Sequence, residues 1–162
     1  MVAALISFGI GFTLGGPKLS SVEAKTVGAF IADQAKRRSQ GSGQIREFEG
    51  ARRFVHGDVD GDKNADLVVL FTLEEGNTWT QFLAVFAGRE PRPLAISRVG
   101  GKGQRSVDLR QVSNGRIEFA TKSYGPRDPL CCPALSGHSA FVLRGQTLEE
   151  VDTSIEAAPS QP

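Results

Sequence analysis

Two consecutive stretches, residues 65–73 (ADLVVLFTL) and 79–87 (WTQFLAVFA), carry apolar side chains at both odd and even positions. Successive side chains of a strand point to opposite faces, so a strand exposed on one face alternates apolar with polar. A strand apolar on both sides must be covered on both sides. The chain therefore needs a sheet with a layer on each face of its centre, formed by a helix or by the sheet closing partly on itself. Other stretches alternate strictly. In 106–112 and 116–121, Val107, Leu109, Ile117 and Phe119 point inward, and Asp108, Arg110 and Glu118 outward. Asn114-Gly115 between them is a strong hairpin signal. Residues 52–56, 94–99, 140–144 and 148–151 bring the total to about eight strands, joined by short polar turns that imply an antiparallel meander.

One helix precedes them. Ser20 and Glu23 have capping-box spacing, and Ala24, Val27, Phe30, Ile31 and Ala35 share a face. Lys36, Arg37 and Arg38 follow where cations suit a helix C-terminus, and 39–44 (SQGSGQ) reads as a flexible connector. The expected fold is α+β: an N-terminal helix on a mostly antiparallel sheet, as a meander or partial sandwich. The domain occupies 25–151, and no repeat divides it. With 19 Lys+Arg against 18 Asp+Glu, the net charge of +1 lacks the basic excess of a dedicated nucleic-acid binder.

The ends differ in character. Residues 1–16 contain no charge, and Lys18 is the first ionisable side chain. The run is shorter than the ~20 residues of a membrane-spanning helix and resembles the apolar core of an export signal. Val22-Glu23-Ala24 offers small residues for cleavage, so 1–24 reads as a signal-like segment, although no basic residues precede the apolar run. A packed N-terminal segment is one alternative; a short anchor, for which Gly11-x-x-x-Gly15 would suit close packing, is another. Cleavage after Ala24 conflicts with the Ser20/Glu23 cap. Residues 152–162, polar and with Pro159 and Pro162, read as a disordered tail.

The chemistry concentrates in DVDGDKNAD, residues 58–66. Asp58, Asp60, Asp62 and Asp66 occupy positions one, three, five and nine of a tight loop, and Asn64 occupies position seven. Calcium takes 6–8 oxygens at about 2.3–2.6 Å, and carboxylates on alternate residues can curl around one ion, with Asn64 giving its backbone carbonyl. Without a cation the four carboxylates repel one another. The loop is not an EF-hand: position six is Lys63 instead of Gly, position twelve is Val69 instead of Glu, and a strand follows. An acidic turn without metal is the plainer alternative.

The stretch from His56-Gly57-Asp58 to Leu67 resembles the calcium loop of FG-GAP and VCBS-type repeats, GDxDGDGxxDL. More broadly, GDVDGDKNADLVVLFTLE, NTWTQFLAVF, GGKGQRSV and CCPALSG, in that order, resemble a group of small bacterial envelope proteins with no assigned activity. The resemblance implies a periplasmic or secreted single domain with one metal loop. Lys63 replaces the glycine usual in that loop; if the position needs a positive φ, a non-glycine there is strained.

The only cysteines, Cys131 and Cys132, are adjacent and bracketed by Pro129 and Pro133. A strained vicinal ring, two free thiols or bonds to another chain are all open to them. His138 lies six residues on and would complete an envelope enzyme of thiol or hydrolytic chemistry, the alternative function. His56 is a neighbour of the loop instead of a ligand, since calcium prefers oxygen. Gly100-Gly101-Lys102-Gly103 lacks the following helix of a phosphate loop and reads as a hairpin with a basic tip. The leading expectation is an exported calcium-binding domain that recognises an envelope or extracellular protein or glycan. It binds no nucleic acid and has no stable membrane span after processing.

Overall fold

A computed structural model describes residues 18–39, 43–88 and 90–155 of the 162-residue chain. The signal-like run 1–16 lies outside the described residues. Helix α1 spans Ser21–Arg38 and opens on the capping box expected of it: Ser20 Oγ accepts from Glu23 N, and Ser20 N donates to Glu23 Oε2. Cleavage after Ala24 would remove this cap. Nine strands follow among the described residues: β1 Ile45–Glu47, β2 Arg53–Gly57, β3 Asp66–Glu75, β4 Thr78–Phe86, β5 Pro93–Gly101, β6 Arg105–Ser113, β7 Arg116–Ser123, β8 Leu135–Arg144 and β9 Thr147–Ile155. Strands β3 to β9 form an antiparallel meander, and β1 and β2 both pair with β3 on the side away from β4. The fold is α+β, and the sheet does not close into a barrel.

The two-sided apolar strands have cover of both kinds. Leu67, Val69, Phe71 and Leu73 of β3, with Phe82, Ala84 and Phe86 of β4, face Val27, Ile31 and Ala35 of α1. Phe30 sets its ring edge-on to Phe71 and Phe86, and the Arg38 guanidinium lies 4.4 Å over Phe82. On the other face, Val68, Leu70, Leu83 and Val85 meet Val107, Leu109, Ile117, Phe119, Phe141 and Leu148, so the later strands fold back over the earlier ones.

That fold-back needs a break in the sheet. Strands β5 and β6 share a single register pair, Gly101↔Arg105. Gln81 of β4, 8% exposed, fills the gap: its Nε2 donates to Val107 O and its Oε1 accepts from Val107 N. The side chain supplies the two bonds that Val107 would otherwise lack in the interior. The fold-back also presses β2 against β6, where a Cβ on Gly57 would lie 2.5 Å from Val112 Cβ.

Boundaries depart from the sequence expectations at three places, and the first is β8, which begins at Leu135, five residues before Ala140. The edge strand interrupted by a 3-10 turn at Glu49–Ala51 has an extra first piece, β1, bound back by Arg52 Nε donating to Glu47 Oε1. Strand β9 continues to Ile155, four residues into the stretch expected as tail, because the long β8 pairs with it as far as Gly137↔Ile155. Residues 156–162 lie outside the described residues. The 100–105 segment is a tight β5–β6 turn, as its glycines suggest, with Gln104 N donating to Gly101 O.

Candidate metal centre

The acidic loop joins β2 to β3 at the end of the sheet where β2 crosses β6. Positive φ at Gly61 (85°) and Lys63 (66°) curls the chain back on itself. Lys63 therefore holds the left-handed conformation that glycine adopts at less cost. Each curl is tied by a carboxylate. Asp58 Oδ1 accepts from Gly61 N at 2.7 Å and its Oδ2 from Lys63 N at 3.0 Å. Asp60 Oδ1 accepts from Asp62 N, and Asp62 Oδ1 from Asn64 N.

Asp66, the first residue of β3, enters from below. It is 1% exposed, and its two oxygens accept from Val59 N at 3.0 Å and Gly88 N at 3.2 Å. Burial pushes its carboxyl above the ordinary range; the charges of Asp60 and Asp62 push the same way, against the pull of the two N–H groups.

Carboxylate oxygens of Asp58, Asp60 and Asp66 all lie within 4.8 Å of one another. These three can hold a metal ion. Asp62 stands outside that group, its carboxylate engaged by the backbone N and Nδ2 of Asn64. Asn64 Nδ2 donates to Asp62 Oδ2 at 2.8 Å. A groove of about 470 Å³ opens beside Asp58 and Asp60, walled by Val112 and the Asn114-Gly115 turn. That turn has positive φ at both residues, 51° and 72°, the geometry of a type I′ hairpin.

One contributor was not legible from spacing. Gly88 passes so close to the loop that a Cβ there would lie 1.9 Å from Ala65 O. Its N–H reaches Asp66 across 22 residues of chain, and only its following an apolar strand marked it. His56 Nε2 lies 2.8 Å from Glu23 Oε1, linking β2 to the capped end of α1. The cysteines occupy the β7–β8 loop, where Cys131 and Cys132 are bonded to each other. Of the three arrangements open to them the structure has the vicinal one, which leaves no thiolate for His138. That histidine sits within β8, opposite Ala120 and Ser154.

No family model matches the chain, and no curated protein or solved structure matches it. Fold and site together define a small α+β domain carrying a compact carboxylate loop at one end of its sheet. No helix among the described residues is long and apolar enough to cross a membrane.

Proposed function

We propose that residues 58–66 bind one calcium ion as a structural metal. We further propose that the chain is an exported domain, periplasmic or secreted, serving as a binding module for an envelope or extracellular protein or glycan. The observation that carries the metal proposal is the convergence of Asp58, Asp60 and Asp66, one of them buried, within 4.8 Å. An all-oxygen donor set suits a hard cation, and calcium accepts the irregular geometry of a loop better than magnesium, which requires a strict octahedron. The carbonyl of Asn64 would add a further oxygen, and Asp62 would join the shell on turning from Asn64, in keeping with the FG-GAP-like spacing. The metal is structural because Asp66 ties the loop to β3, to Val59 and to the exit of β4. Export is supported by the apolar run at 1–16 and by the oxidised cysteine pair.

A ligand that binds only the native state adds RT ln(1 + [L]/Kd), about 2.7 kcal/mol at a hundredfold excess over Kd. Calorimetry with calcium and with magnesium, alongside melting in chelator, tests the site. Calcium should bind and raise the Tm, magnesium should do so weakly, and Asp66→Ala should abolish the response. No heat at millimolar calcium and an unchanged Tm in chelator would reduce the loop to an acidic turn.

A further inference from the structure

The β7–β8 loop is held in place without help from its sulfur atoms. Tyr124 OH donates to Leu130 O at 2.8 Å, and Cys132 N donates to Pro129 O at 3.0 Å. Asp128 Oδ2 accepts from both Gly125 N and Ala134 N at 2.8 Å, and these two N–H groups hold its carboxyl below the ordinary range. Cys131 and Cys132 sit at the tip, both exposed, beside Leu130 at 64% exposure.

A disulfide stabilises a fold mainly by closing a loop in the unfolded chain, and the effect grows with loop length. The Cys131–Cys132 bond has a sequence separation of one and closes no loop. It is therefore not a staple. What it offers is an accessible pair of electrophilic sulfurs on a loop whose hydrogen bonds do not involve them. We propose that Cys131–Cys132 is a thiol–disulfide exchange site that a dithiol reductant opens in the folded domain.

The step balances as follows. A thiolate of the reductant attacks one cysteine Sγ; the S–S bond breaks, a mixed disulfide forms, and the departing sulfur takes a proton. The reductant's second thiol then displaces the remaining cysteine, which is released and protonated. Two electrons pass to this chain, both cysteines end as thiols, and the reductant ends as a disulfide. Because the chain has two cysteines in all, intrachain reoxidation can restore only the same bond. The proposal is independent of the metal loop.

Maleimide labelling of the full chain under native conditions, read by intact mass with and without dithiothreitol, tests it. Without reductant no adduct should form; with it, two should, and the Tm should move by no more than about 2 °C. Cys131→Ser should take one adduct with no reductant present. Labelling of both cysteines before reduction would overturn the proposal. So would labelling that requires denaturant as well as reductant, or a Tm that collapses on reduction, since the bond would then be a structural element.

Discussion

Replacing Asp60 by Asn separates charge from shape at the metal loop. The amide oxygen of Asn can still accept from Asp62 N, so the turn keeps its bond. What disappears is one negative charge within 4.8 Å of the carboxylates of Asp58 and Asp66. At that separation one like-charge pair costs ~0.9 kcal/mol at the dielectric of water and ~3.5 kcal/mol at an effective value of 20. Asp60 is exposed, so the lower figure applies, reduced further by salt. Relief of two such pairs should stabilise the metal-free domain by about 1 kcal/mol at physiological ionic strength, a rise in Tm of about 2–4 °C. In calcium the order should reverse: the variant keeps an oxygen but not its charge, so its calcium affinity, and with it the binding term, should fall below the parent's. Thermal melts of both proteins in chelator and in millimolar calcium should therefore cross. If Asp60→Asn melts below the parent in chelator, repulsion is not what the loop stores. If both proteins respond equally to calcium, the charge of Asp60 contributes nothing to binding.

Two other substitutions test the supports of the site. Gly88→Ala should cost at least about 2 kcal/mol in urea denaturation, because its Cβ would fall 1.9 Å from Ala65 O and displace the N–H that serves Asp66; a loss under about 0.5 kcal/mol would show that the close approach relaxes freely. For Glu23, burial pushes the carboxyl up, but the bonds from the His56 and Ser20 side chains and from Ser20 N together pull it down further, to a value below the ordinary 4.5. A lowered folded-state value means stability present above about pH 4.5 and lost as pH falls through the folded value. Glu23→Gln should accordingly flatten the acid limb of stability measured by melts from about pH 6 to pH 3, and parallel curves for parent and variant would exclude the pair as its source.

Local periodicity and local chemistry were open to direct inspection. Double-sided apolar runs mark β3 and β4 because each side chain reports the face it must bury. Asn114-Gly115 marks a hairpin because both residues tolerate the left-handed backbone, and Ser20 with Glu23 marks a helix start because the two close one ring of bonds. The Asp58–Asp66 spacing likewise placed an acidic loop, whereas the positive φ of Lys63 was open only as a condition attached to the FG-GAP-like resemblance. Contacts between residues distant in the chain carry no such mark. Nothing in the spacing distinguishes Asp62, which turns to Asn64, from Asp58, Asp60 and Asp66, which converge. Gly88 reaches Asp66, and Gln81 reaches Val107, only because β4 lies between β3 and the broken β5–β6 edge. Strand β1 was missed since three residues are too few to display a period, and the end of β9 was missed since an edge strand's polar side chains resemble those of a tail. The sequence by itself determined which segments form strands and where their charge gathers, since those depend on neighbours along the chain. Tertiary structure alone decided which carboxylates meet, because that depends on the fold-back that brings β2 against β6 and the exit of β4 over the loop.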